Sequence, residues 1–204
     1  MIPGLRYIPG YLDGTAHDAL LAAVDALPWC EFGERRAQIY GYSFHYTKGG
    51  IYRVEDLPAW AQDLAARLEH DRLMPDLADQ LIVNEYAAGR GIPPHVDAPL
   101  FADTIVSISL GSGCVMEFTS ESGEMKEQFL EPMSALVIAD EARHQWKHAI
   151  PGRTIDEWQG RERPRTRRIS LTFRKMLPAE QRPAWEPSSW TNVRNRLRAP
   201  ASNG

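Results

Sequence analysis

Cysteine is nearly missing from this chain: Cys30 and Cys114 are its only two in 204 residues. They lie far apart with no spaced partner, which excludes a disulfide framework and a cysteine zinc site and predicts a reducing, cytoplasmic setting. No apolar run approaches the roughly 20 residues of a membrane span. The opening MIPGLRYIPGYLDG lacks the basic-then-apolar order of a secretory signal, so neither membrane nor export is expected. A positive excess is also absent, because 23 Lys and Arg face 27 Asp and Glu, giving a formal net charge of −4 and a pI of about 5.9. A protein that coats nucleic acid indiscriminately is basic overall, so any phosphate-binding surface has to be local. Residues 160–168 (GRERPRTRR), with five arginines and one glutamate, are either such a surface or a solvated loop. No internal repeat is visible. What remains is globular, 43% hydrophobic and 25% charged, and long enough for one domain with its own core.

Two helices are predicted early. Residues 15–27 (TAHDALLAAVDAL) offer a Thr N-cap, helical apolar spacing and Pro28 as a stop. Residues 57–70 place Trp60, Leu64 and Leu68 on one stripe. Between them QIYGYSFHY (38–46) alternates Tyr40, Tyr42, Phe44 and Tyr46, the pattern of one strand with an aromatic face. From residue 81 the texture changes to eight short β-segments: LIVNEY, PPHVDA, TIVSISL, CVMEFTS, MKEQFLE, SALVIAD, HQWKHAI and RRISLTFRKM. The expected fold class is α+β, mainly β: a sandwich or barrel with the N-terminal helices packed on one sheet. One domain would cover 1–177, with the β core at 81–177. Residues 178–204, rich in Pro, Ser and Arg, are expected to form an extended tail whose Trp185 and Trp190 could dock on the domain.

Chemistry enters at GIPPHVDAP (91–99), where His95 and Asp97 stand two apart after a Gly-Ile-Pro-Pro turn. Alone the pair is weak, since His and Asp frequent turns. Two imidazoles and one carboxylate on one face are how non-haem Fe(II) oxygenases hold iron, and RHQWKHAI supplies two candidates for the second imidazole, His144 and His148. Strand alternation cannot choose, because 144, 146 and 148 would share a face. In RRISLTFRKM, Ile169, Leu171 and Phe173 alternate with Arg168, Ser170, Thr172 and Arg174. The apolar set can enter the core between the sheets, which leaves two guanidiniums and two hydroxyls on the opposite face. The same alternation puts Asn84 and Tyr86 together in LIVNEY. Arginine grips carboxylates in planar, bidentate fashion, so this set suits a dicarboxylate such as 2-oxoglutarate.

Taken in order, NEY, PPHVDAP, IVSISLGSGCVMEF, WKHAI and RRISLTFR resemble the AlkB family of Fe(II)/2-oxoglutarate dioxygenases, nearest the branch with the tRNA-modifying AlkB homologues. The similarity is close over about residues 81–176. It implies a double-stranded β-helix, or jelly roll, with residues 1–80 supplying the helices and a substrate-recognition lid. It implies Fe(II), 2-oxoglutarate and O2, with His148, in its W-x-H-x-I context, as the third ligand beside His95 and Asp97. His144 is then a neighbour. Arg168 and Tyr86 would bind the distal carboxylate of 2-oxoglutarate, and Arg174 and Asn84 would lie at the iron-chelating end. Ser170 stands where the family often has asparagine.

The implied activity is oxidative removal of alkyl groups from nucleobases of DNA or RNA, by a monomer with nucleic acid as its partner. Hydroxylation of a modified tRNA base or a protein side chain, and a lapsed binding module, are the alternatives. Tyr40 and Tyr42 fall where the family carries its lid and are candidates for base stacking, with Arg35 and Arg36 as phosphate contacts. Pro99 occupies the position at which some DNA-repair members carry a base-reading acid, so that mode of recognition is excluded.

Overall fold

Both expected helices form, although each begins differently from its predicted start. Asp13, not Thr15, caps the first, its carboxylate accepting from Ala16 N at 2.8 Å. Pro58 caps the second. A computed structural model of the chain describes residues 1–32, 35–44 and 50–183. In chain order these form β1 (Leu5–Ile8), α1 (Gly14–Asp25), β2 (Cys30–Phe32), β3 (Arg35–Tyr40), β4 (Tyr42–Phe44), β5 (Ile51–Arg53) and α2 (Ala59–His70). The β core follows: β6 (Gln80–Tyr86), β7 (Ile92–His95), β8 (Phe101–Gly111), β9 (Cys114–Ser120), β10 (Met125–Leu130) and β11 (Ala135–Ile138). A short α3 (Asp140–His144) leads to β12 (Trp146–Ile150), β13 (Ile155–Trp158), β14 (Arg161–Pro164) and β15 (Arg168–Met176).

All eight predicted β-segments contain strands, and with β1, β2 and β3 they build a seven-stranded sheet, β1-β11-β8-β15-β6-β3-β2, facing a four-stranded one, β10-β9-β12-β7. The helices cover the outer face of the larger sheet, where Val24, Leu64 and Leu68 pack with Val83, Ile108 and Leu171. A second cluster, including Tyr86, Phe118, Leu136, Trp146 and Ile150, fills the space between the sheets. Each such side chain contributes roughly 1.5–3 kcal/mol on burial. This is the expected jelly roll with helices on one sheet.

Three expectations need correction. The apolar set of β15, Ile169, Leu171 and Phe173, packs under the helices rather than between the sheets. The polar set therefore faces the inter-sheet space, because apolar helix stripes already cover the other side. Next, QIYGYSFHY is not one strand. It breaks at Gly41, with φ +79°, where an added Cβ would lie 1.9 Å from the Asp79 carbonyl oxygen. β3 ends there in the large sheet, and β4 leaves it to pair with β5. Tyr46 and the Phe44 side chain lie outside the described residues. Finally, His144 ends α3 and is not on β12.

The arginine-rich stretch contributes β14, paired with β13. Arg165 is buried against Asp156, and Arg167 spans Asp25 and Glu85. Arg168 starts β15 and is buried, so Arg161 and Arg163, with the ion-paired Arg167, are the exposed arginines of the run. A short 3-10 turn, Ala179–Gln181, opens the tail, and Trp185 and Trp190 lie outside the described residues. Among the described residues, no helix is long and apolar enough to cross a membrane.

Candidate active site

β7 and β12 are antiparallel neighbours in register His148↔His95, which sets the two imidazoles side by side with ring centroids 4.3 Å apart. Gly91 permits this approach, since a Cβ there would sit 1.9 Å from the Ile150 carbonyl oxygen. Asp97 follows β7 directly, and its Oδ2 is 4.0 Å from His148 Nε2. One ligand atom from each of His95, Asp97 and His148 falls within 4.8 Å of the others.

The local electrostatics prepare these groups for a cation. Burial lowers the basicity of His95, against the pull of Asp97 and of the Pro93 carbonyl. That carbonyl accepts from His95 Nδ1 at 2.8 Å, so Nε2 is the basic nitrogen. Burial and the neighbouring His95 push His148 down to about 3, despite Asp97. Burial pushes Asp97 up, but Arg174, His148, His95 and Arg143 together hold it below the ordinary carboxylate range. At neutral pH the set is two neutral imidazoles and one carboxylate, the protonation states a divalent metal requires. By its donor chemistry the cluster fits Fe(II). His144 is elsewhere, more than half exposed at the end of α3, with Nε2 2.6 Å from Asp103 Oδ1.

Across the inter-sheet space, register places Arg168 opposite Tyr86, Ser170 opposite Asn84 and Arg174 opposite Gln80. Arg168 is 3% exposed and its guanidinium lies 5.6 Å from the Tyr86 ring centroid. Nη2 donates to Ser109 Oγ at 3.0 Å, while Nε and Nη1, like Asn84 Oδ1, have no partner among the described residues. A buried guanidinium with two open donors is costly by itself and suits an anionic, planar acceptor. Burial pushes the Tyr86 phenol up, so it remains a donor. Arg174 Nη2 donates to Asp97 Oδ1 at 2.8 Å and Nη1 to Gln80 Oε1 at 3.2 Å. Sequence reasoning missed Ser107, Ser109, Gln80 and Arg143. The alternation in TIVSISL would have shown the two serines, whereas nothing local signals Arg143.

The substrate candidates part company. Parity along β3 turns Arg35 to the cavity side, where its charge reaches Tyr86 and His95. Arg36 points the other way, gripping Glu85 at 2.6 and 2.7 Å and lying 5.0 Å from the centroid of the Trp29 ring. Tyr40 is buried under the helices and donates to Gln38 Oε1 at 3.1 Å. The structure brings neither Tyr40 nor Arg36 to the cavity. Tyr42 is half-buried against Ala98, Leu100, Phe101 and Met176, beside the Asp97 end of the site.

The sequence pattern of the 2OG-Fe(II) oxygenase superfamily matches residues 36–174. The chain belongs to this family. Within it the oxygenase is an AlkB homologue, close to the tRNA-modifying branch. It is 35% identical to the alkylated DNA repair protein ALKBH8 homolog of Arabidopsis thaliana, over 86% of this chain and 59% of the plant protein. It is 30% identical to the tRNA (carboxymethyluridine(34)-5-O)-methyltransferase ALKBH8 of Mus musculus, over 85% of this chain but 30% of the mouse protein. It is 28% identical to the probable RNA/DNA demethylase ALKBH6 of Danio rerio, over 84% of this chain and 85% of the fish protein. The chain thus spans a little over half of the plant relative and under a third of the mouse one. The structure of OsALKBH1 shares the fold, with a TM-score of 0.60 at 15% identity, covering 86% of this chain and 99% of that one. Family membership brings Fe(II), 2-oxoglutarate and O2 as cofactor and cosubstrates.

Proposed function

We propose that the chain is an Fe(II)- and 2-oxoglutarate-dependent dioxygenase that oxidises an alkyl group on a nucleobase of RNA or DNA. The observation that carries this reading is the convergence of His95, Asp97 and His148 opposite a buried Arg168 with two open donors. When bound, Fe(II) with 2-oxoglutarate supplies O2-dependent oxidation of a C–H bond, and 2-oxoglutarate leaves as succinate and CO2. His95, Asp97 and His148 would hold the metal. Pro93 fixes the tautomer of His95, and Arg174 orients the Asp97 carboxylate. Arg168 and Tyr86 would bind the distal carboxylate of 2-oxoglutarate, with Asn84 and Arg174 towards the metal. On the substrate side, Arg35 and Tyr42 border the cavity. Two free cysteines agree with a reducing, cytoplasmic setting, and the working unit we propose is a monomer.

Nucleic acid is the proposed partner because the plant, mouse and fish relatives carry names that refer to DNA repair, tRNA modification and RNA/DNA demethylation. Pro99, which removes a base-reading carboxylate, favours a second reading: hydroxylation of a modified tRNA base. The products separate them. Hydroxylating an N-methyl group yields a hemiaminal that releases formaldehyde, whereas hydroxylating a carbon-linked substituent leaves a stable alcohol 16 mass units heavier (about one oxygen atom). Succinate, formaldehyde and nucleoside masses should be measured on methylated oligonucleotides and on tRNA. Succinate formation that no nucleic acid stimulates would remove the substrate class.

A further inference from the structure

Asp97 is held at both of its ends. Its side chain is tied to Arg174, while its main chain is held by an arginine from a different element. Arg143, on α3, is 2% exposed and donates through Nη1 to the Asp97 carbonyl at 2.9 Å and through Nη2 to the Ala98 carbonyl at 2.7 Å. Two consecutive carbonyls gripped by one planar fork fix both the position and the direction of that backbone. A guanidinium also costs a great deal to bury, and an aliphatic side chain would pack α3 more cheaply.

The element that presents Arg143 is itself secured. Asp103 accepts from Asp140 N at 3.1 Å with one oxygen and pairs with His144 at 2.6 Å with the other, so it staples both ends of α3. The N-terminal segment adds two bonds, Ala139 N to Gly4 O and Ala142 N to Pro3 O, both 3.0 Å. Asp140, the first residue of α3, has φ +47°, a left-handed backbone that a non-glycine residue adopts only when its surroundings impose it. The anchored α3 therefore delivers one buried cation to the carbonyl of a candidate metal ligand.

We propose that Arg143 is a positioning residue for the metal: it sets the reach of the Asp97 carboxylate by clamping the backbone that carries it, with α3 and Asp103 as its fixture. This rests on Asp97 and His148 being metal ligands. Partners that orient a ligand without touching the metal are commonly worth 10–100-fold in metal affinity.

The test uses Co(II) binding to the metal-free full chain, read by visible absorption and titration well below each variant's melting temperature. Arg143→Met keeps the side-chain length and removes the donors, and Arg143→Lys can reach one carbonyl but not two. Arg143→Met should weaken Co(II) binding by about 10-fold or more, with Arg143→Lys intermediate. In turnover, the metal concentration for half-maximal rate should rise more than the maximal rate falls. Wild-type Co(II) affinity in folded Arg143→Met, with only the melting temperature lowered, overturns the proposal. If Arg143→Met does not fold, wild-type affinity in Arg143→Lys overturns it equally. Asp97→Ala and His148→Ala are the references. If these bind Co(II) like wild type, the metal site itself is misplaced; if they lose it while both Arg143 variants retain it, the clamp alone fails.

Discussion

Arg174 Nη2 lies 2.8 Å from Asp97 Oδ1, so the strand that carries the candidate cosubstrate arginines also holds the carboxylate of the candidate metal site. In the proposed site the two subsites share this residue, and the two β15 arginines should differ accordingly. Arg174→Met strands a buried carboxylate, a loss of about 3–5 kcal/mol, and should weaken both metal and 2-oxoglutarate binding. Separate Co(II) and 2-oxoglutarate titrations would show it, and an effect confined to one ligand is contrary to the shared role.

Arg168→Ala should be selective. Loss of a charge-assisted, bidentate contact in a buried site costs on the order of 2–5 kcal/mol, which raises the 2-oxoglutarate requirement by 30-fold or more. Co(II) affinity should stay within about 2-fold of wild type, because Arg168 donates to Ser109 and makes no bond to the metal cluster. Unaltered 2-oxoglutarate dependence would mean that the open donors of Arg168 serve something else.

The two histidines of RHQWKHAI should separate cleanly. His148→Ala removes a donor facing Asp97 and should abolish turnover. His144→Ala breaks an exposed pair with Asp103, worth roughly 0–1 kcal/mol, and should leave most of the activity. Equal losses would place both imidazoles in the site.

Tyr40 and Tyr42 should no longer behave alike. Tyr40→Ala opens a cavity under the helices, costing about 3–5 kcal/mol, so succinate formation with and without substrate should fall together. Tyr42→Ala, on β4, should spare substrate-free succinate formation and reduce substrate oxidation by roughly 10-fold if Tyr42 stacks on a base. A melting curve for each variant separates the two cases.

Acid should affect the fold before the metal site. In the unfolded chain an imidazole takes up its proton near 6.5, but His148 does so only at about 3. Between those values the unfolded state binds more protons, so the stability of the metal-free protein falls as pH drops through that window, by a few kcal/mol in total. With His148 neutral and Asp97 ionised throughout, and with burial lowering the basicity of His95, the fall in Co(II) affinity between pH 7.5 and 5.5 should stay under about 10-fold. An ordinary histidine pair would lose on the order of 100-fold. A loss of that size in titrations at the two pH values would contradict the burial of these groups.

The linear sequence by itself determined the strand and helix periods, the grouping of Arg168 with Arg174 on one face of their strand and of Asn84 with Tyr86 on one face of theirs, and the donor types at His95 and Asp97. These follow from residue chemistry and from side-chain directions that repeat every two or 3.6 residues. Alternation says that neighbouring side chains oppose each other and is silent on which face meets the core. Tertiary structure decided that, by placing apolar helix stripes over Ile169, Leu171 and Phe173 and so turning the arginines inward. The same parity separated Arg35 from Arg36, and the close approach of Gly41 to Asp79 ended the strand that would have aligned Tyr40 with Tyr42. The register of β12 on β7 set His148 against His95, and α3 brought Arg143 to Asp97 from 46 residues away. No local pattern carries such information, because each contact joins segments whose approach depends on how the whole chain packs.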